Sequence, residues 1–153
     1  MNHKNFYLSL IITILVDQLT KSLAVKYLSN YSTFPLINNI FHLTLVKNKG
    51  AAFGLFYNQT IFLISVAVLV FIIIYFFKNK FINGRLSEIG LGFLSAGTLG
   101  NLTDRILHGY VIDFFDFRVW PVFNISDIAI DIGVALIIFE MFITRNKNVP
   151  NNP

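Results

Sequence analysis

The residues with chemical potential in this chain are carboxylates and amides set among apolar neighbours. Asp113 lies in Tyr110-Val-Ile-Asp-Phe-Phe115, and Asp127 follows Phe123-Asn-Ile-Ser126. Only 13 residues separate them, and Trp120-Pro121 is placed to turn the chain back. Two aspartates brought face to face in a water-poor setting cannot both ionise easily, so such a pair tends to share one proton. That pair can do acid–base work: one carboxylate takes a proton from water while the other protonates a leaving amide. No covalent intermediate, metal or cofactor is required.

Other polar groups gather near these two in the chain's pattern. Asp17 and Lys21 stand at i and i+4, on one face of a helix. Asn48 precedes Gly50-Ala-Ala-Phe-Gly54. Gly100-Asn-Leu-Thr-Asp-Arg105 closes one apolar segment, and Asn124 opens another. Each has a plain structural reading as well. Asp17–Lys21 can be an ion pair shielding charge at a lipid boundary. Asp104 and Arg105 can cap and snorkel at a helix end, and Asp127 can be a first-turn acid favoured by the helix dipole. Asn101 and Asn124 can be interhelical hydrogen-bond glue, and Asp116 reads as solvated loop charge. Their convergence at one end of several segments favours a site.

Several chemistries are excluded. The chain has no Cys, hence no disulfide, thiolate metal site or Cys nucleophile. His3, His42 and His108 stand apart, without an HExxH pair, and zinc wants three or four protein ligands. Gly90, Gly92, Gly97 and Gly100 do not form GxGxxG, and no G-x-S-x-G elbow occurs.

The elements that must position these groups are membrane-spanning. Of 153 residues, 55% are hydrophobic, 17 are Phe and only 13% are charged, against about 25% charged in soluble domains. A water-soluble globule of this size could not hide so much apolar surface, and a disordered chain would be poor in aromatics. A bilayer core about 30 Å thick needs roughly 20 apolar helical residues. Four stretches qualify, at about 6–28, 57–77, 86–106 and 124–144. The first lacks a small-x-small cleavage site and reads as an uncleaved helix. The net charge of +4 fits basic flanks better than nucleic-acid binding. Lys4, Lys78, Lys80, Arg85, Arg145 and Lys147 lie in three short flanks on one side, which favours cytoplasmic termini. The aspartates then fall at or near the outer ends of the spans.

The outer loop, about 29–56, contains Phe34–Val46 with partial alternation and β-branched residues, which predicts one or two short strands lying on the membrane surface. Gly92, Ala96 and Gly100, with Ala129 and Gly133, form small-residue rows expected to pack the third helix closely on the fourth. The Asn-rich tail from Asn146 is expected to fray. The fold class is thus an all-α polytopic membrane protein of four transmembrane helices with a small extracytoplasmic β-sheet, one domain over 1–153.

At these motifs the sequence resembles the lipoprotein signal peptidases, the type II signal peptidases of bacteria. The matching stretches are Asp17-Gln-Leu-Thr-Lys21, Asn48 with Gly50-Ala-Ala-Phe53, Gly100-Asn-Leu-Thr-Asp-Arg105, Val111-Ile-Asp-Phe114 and Phe123-Asn-Ile-Ser-Asp127. The resemblance implies an intramembrane aspartic endopeptidase in the bacterial cytoplasmic (inner) membrane, with its site near the extracytoplasmic face. Asp113 and Asp127 match the catalytic dyad. Asn48, Gly100, Asn101, Arg105 and Asn124 match polar and small residues around the substrate pocket. Asp17, Lys21 and Asp104 match residues supporting activity or stability. The implied substrates are diacylglyceryl-modified prolipoproteins cleaved before the lipidated Cys, and globomycin-type cyclic peptides are the implied inhibitors; membrane lipid is the other partner. Two departures stand out. Ser126 occupies a position where Ala is usual, a small-for-small change expected to be tolerated. Asp131 adds a third carboxylate one turn below Asp127, where an apolar residue is common; when charged it would raise the proton affinity of Asp127, so Asp131→Asn is expected to shift the pH–activity profile.

Two rival functions remain open on the sequence. A small carboxylate-lined ion or proton transporter would also carry intramembrane charges, although here the acids cluster at one face and form no path to Glu88 and Glu140. A non-enzymatic membrane assembly factor would use the polar residues as glue.

Overall fold

The computed structural model describes residues 3–31, 33–82 and 84–147. In chain order it has α1 (Lys4–Leu28), β1 (Phe34–Ile37), β2 (Phe41–Asn48), a short 3-10 turn (Ala52–Gly54), α2 (Thr60–Phe81), α3 (Arg85–His108), β3 (Val111–Asp116) and α4 (Ile125–Lys147). Each expected apolar span corresponds to one long helix, with ends shifted by a few residues. The helix α4 runs through Asn146 and Lys147; the rest of the tail lies outside the described residues.

The bundle is built around α3. This helix packs on α4 most extensively, then on α1 and α2. It is rich in small and polar residues, and Ser87, Gly90, Gly92, Ser95, Ala96, Gly97 and Gly100 are all buried. The large apolar side chains point the other way: Leu15, Leu19, Ile61, Leu69, Tyr75, Phe76 and Phe142 are exposed. Small residues inside and bulky apolar ones outside is the arrangement expected where lipid, not water, surrounds the bundle. Two helices, α1 and α2, are long and apolar enough on composition alone to cross a bilayer. The charged and small residues of α3 and α4 lower their hydropathy because those helices carry the site and the packing seam.

The small-residue rows pack closely, with a changed division of labour. A Cβ on Gly90 would stand 2.7 Å from the Gly133 carbonyl, and one on Gly133 2.6 Å from that of Gly90, so this pair seats α3 on α4. Gly97 likewise abuts the Ser126 carbonyl. Gly92, expected to face α4, instead meets Ser9 and Phe6 of α1. Periodicity gave the close approach but not the partner helix.

The sheet has order β1-β2-β3 and is antiparallel throughout. The first two strands were expected; β3 was not. Its residues are buried on both faces apart from half-buried Phe115, so the sequence shows a short apolar run rather than alternation. The sheet rests on the end of α1, where Ala24, Leu28 and Phe114 form a core with Leu43, Leu45, Phe115 and Ile125. Gly109, at φ 78°, ends α3 in the left-handed conformation and lets the chain turn directly into β3. Phe123 then returns alongside: its carbonyl accepts from the Phe114 and Phe115 amides at 3.0 and 2.9 Å. That return brings the start of α4 against β3.

Candidate active site

Asp113 is fixed by its strand. It pairs in register with Val46 of β2 and its side chain is 2% exposed. Asp127 is placed by the start of α4 and is half-buried. Asn124 joins the two. Its Nδ2 donates to Asp113 Oδ1 at 2.6 Å, while its backbone N–H donates to Asp127 Oδ2 at 3.1 Å. In return the Asp127 N–H donates to Asn124 Oδ1 at 3.0 Å. This reciprocal cap is the capping-box arrangement built from Asn and Asp. Asp127 is therefore both the first-turn acid of α4 and an electrostatic neighbour of Asp113.

Neutral amides complete the set. Asn48 Nδ2 donates to Asp113 Oδ2 at 2.9 Å, and its Oδ1 accepts from the Gly50 N–H at 2.9 Å. Asn101 Nδ2 donates to Asp127 Oδ1 at 2.8 Å. All four carboxylate oxygens thus accept from amide N–H groups, and among the described residues neither aspartate forms an ion pair. Burial foremost, and the Asp127 charge next, raise the Asp113 pKa to about 7; hydrogen bonds from Asn48 and Asn124 and the Lys21 charge oppose the rise. A carboxyl group titrating near neutrality is suited to acid–base work.

The nearest ammonium is held one residue away. Lys21, 1% exposed, pairs with Asp17 Oδ2 at 3.0 Å and Asp104 Oδ2 at 2.9 Å, and donates to Asn101 Oδ1 at 3.1 Å. Asp17 also accepts from the Ser126 N–H at 2.9 Å, and Asp104 from the Ile112 N–H at 3.1 Å. This cluster ties α1, α3, β3 and α4 together behind the site and orients Asn101. The Asp17–Lys21 pair was legible from spacing. Asp104 was expected to cap a helix end; it is instead 3% exposed and the second partner of Lys21.

Asp113 and Asp127 open on a cavity of about 770 Å³ between α2 and α4, floored by α3. Asn48, Asn101, Arg105, Asp113 and Asp127 line it, with Asp131 deeper along α4. Arg105 donates to the Gly50 carbonyl at 3.1 Å and so holds the 50–54 turn at the cavity mouth. Gly100 is not on this wall: a Cβ there would meet Ser126 Oγ and Asp17 Oδ2, so its smallness serves close packing. Asn124, Asp17, Lys21 and Asp104 sit behind the wall. Asp116 is not solvated loop charge. It is 5% exposed, accepts from Thr44 Oγ1 at 2.8 Å and pairs with Arg118 at 3.1 Å, and those partners hold its pKa low against the effect of burial. A second cavity of about 340 Å³ between Phe6, Phe71 and Tyr75, which neither Asp113 nor Asp127 lines, is almost wholly apolar.

Residues 9–143 match the family model described as Signal peptidase (SPase) II. The lipoprotein signal peptidase of Halothermothrix orenii is 40% identical over 138 residues, covering 89% of this chain and 94% of that protein. That of Clostridioides difficile is 41% identical over 140 residues, covering 90% and 95%. Among solved structures, a bacterial membrane enzyme determined by the in meso method at 2.3 Å superposes with a TM-score of 0.83 at 27% identity, covering 97% of this chain and 93% of the other. A second, at 1.9 Å, gives 0.76 at 30% identity, covering 89% and 91%. The buried acidic site, the inside-out bundle and these likenesses agree: the chain belongs to the signal peptidase II family of lipoprotein signal peptidases and is a membrane peptidase.

Proposed function

We propose that Asp113 and Asp127 are the catalytic dyad of an intramembrane aspartic endopeptidase that removes the signal peptide from diacylglyceryl prolipoproteins, cutting before the lipidated Cys. The observation that carries this reading is that Asp113 and Asp127 line one cavity and are bridged from behind its wall by Asn124. The four helices cross the cytoplasmic membrane with both termini inside, so that the sheet end faces out. A substrate anchored by its signal helix and acyl chains enters the cleft between α2 and α4 laterally, which aligns the scissile bond and limits the search to two dimensions.

The chain's own groups divide the work. The dyad shares one proton and titrates as a unit. Its ionised member takes a proton from water as the oxygen attacks the scissile carbonyl; its protonated member delivers a proton to the departing amide. Asn48, Asn101 and Asn124 hold the carboxyl oxygens by neutral hydrogen bonds, so the shared proton is not displaced by an ion pair. Arg105 keeps the 50–54 turn over the site. Globomycin-type cyclic peptides would block turnover by filling the same cavity. A transport role finds no support: Glu88 and Glu140, at the other end, are engaged by Asn5 at 2.8 Å and by the Ser87 amide at 2.5 Å.

The test is direct. Purified protein mixed with a lipidated prolipoprotein releases signal peptide, and Asp113→Asn or Asp127→Asn abolishes release while the melting transition persists. Release that survives both substitutions would reject the dyad.

A further inference from the structure

Asp131 is the one group on the cavity wall that the chemistry above leaves idle. It lies one helical turn beyond Asp127 on α4 and its side chain lines the same cavity. Asp131 is exposed on the cavity side of α4, and the same cavity is lined by Leu63, Val66, Ala67 and Val70 of α2, Leu94 of α3 and Ile132. Thr98, another polar side chain lining this cavity, donates its proton to the Leu94 carbonyl at 2.7 Å. Among the described residues Asp131 has no hydrogen-bond or ion-pair partner. An unpaired carboxyl group in a membrane-spanning segment is costly, and such groups mark function.

A substrate needs something at that depth. A peptide bond can be hydrolysed here only if the segment around it leaves the helical conformation. Its backbone N–H groups then lose their intrahelical acceptors inside a cleft with little water, at several kcal/mol each if left unpaired. Four residues of helix rise about 6 Å, and extended chain advances about 3.3 Å per residue. With the scissile bond at Asp127, Asp131 is therefore level with the second or third residue upstream of it, on the signal-helix side.

We propose that Asp131 is a substrate-positioning residue that accepts the backbone N–H of the unwound signal segment two to three residues before the scissile bond. The proposal rests on the peptidase reading above and adds a specific contact to it. It also accounts for the residue type: any apolar side chain would fit the wall, but only an acceptor meets an unpaired N–H.

An ester-for-amide scan tests it, since an ester replaces one N–H by oxygen. Synthetic lipidated substrates carrying single esters at each of the four residues before the scissile bond are assayed with wild type, Asp131→Val and Asp131→Asn in lipid–detergent micelles. With wild type, the ester at the second or third position lowers kcat/KM about tenfold, the loss expected for one hydrogen bond. Asp131→Val slows the all-amide substrate by a similar factor, and the same ester then costs nothing more. Asp131→Asn, which keeps an acceptor oxygen, restores the ester penalty. Equal ester penalties in wild type and Asp131→Val at every position would overturn the proposal, as would Asp131→Val processing the all-amide substrate at the wild-type kcat/KM. Cleavage persisting in Asp113→Asn would be a different failure, taking down the peptidase reading itself.

Discussion

Replacing Lys21 by Met removes the cation from the cluster behind the site while keeping an unbranched apolar stem only one atom shorter. The ammonium makes three short contacts, at 2.9–3.1 Å, to Asp104, Asp17 and Asn101. Its partners are inaccessible: Asp17 is 0% and Asp104 3% exposed. Breaking a buried pair by removing one partner costs about 3–5 kcal/mol, because the other charge is left uncompensated. Here two carboxylates are stranded, although the Ser126 and Ile112 amides still support them, so the same range applies. For a chain of this size about 1 kcal/mol corresponds to roughly 2–4 °C in Tm, which gives a drop of roughly 6–20 °C. Circular dichroism of the protein in detergent reads the transition; thiol-reactive dyes cannot, because there is no Cys. The double variant Lys21→Met/Asp104→Asn removes one stranded charge and should regain about half of the loss. A Lys21→Met protein melting within about 2 °C of wild type would refute the cluster's structural role.

Other outcomes follow from the same geometry. Asp113 titrates at about 7 in the fold against the usual 3.8, so the folded protein keeps a proton between those values that the unfolded chain releases. Its contribution to stability is therefore greatest below pH 3.8 and declines as pH rises to about 7; turnover falls as pH passes about 7 and the shared proton leaves, and a pH–rate profile flat from 6 to 9 would contradict this. Ser126 is 0% exposed and its hydroxyl has no partner among the described residues, so Ser126→Ala should raise Tm by roughly 2–4 °C, as relief of about 1 kcal/mol predicts; a lower Tm would show that the hydroxyl is satisfied. Asn124→Ala strips a donor from Asp113 and the cap from α4; it should cost about 1–3 kcal/mol of stability and depress turnover more than Ser126→Ala does, measured by denaturation and peptide release on the same samples.

The four helices and the polar residues of the candidate site were more legible than the contacts that join them. Asp113 and Asp127 stand out because ionisable residues in apolar stretches are rare, and Asp17–Lys21 because i, i+4 spacing is local. The partner of a long-range contact leaves no such trace: nothing in the sequence pairs Lys21 with Asp104 or Thr44 with Asp116. The strand β3 escaped because burial on both faces erases alternation, and the sheet supplies its ladder from the distant β2, where Val46 pairs with Asp113. Gly92 was assigned to the wrong neighbour because a small-residue row encodes closeness without saying to what. Glu140, expected only as a charge distant from the site, accepts the Leu86 and Ser87 amides at the start of α3, a role that requires knowing that α4 ends beside it.

The central claim is that two carboxyl groups act as one catalytic unit. Single-turnover cleavage of a lipidated prolipoprotein by Asp113→Asn, Asp127→Asn and the double variant measures this directly. Acid–base groups contribute about 10²–10⁴ in rate, and groups that act together are grossly non-additive. Each single substitution is therefore predicted to lose nearly all turnover, and the double variant to be no slower than either. Losses that multiply in the double variant, or a single variant retaining wild-type turnover, would contradict the account.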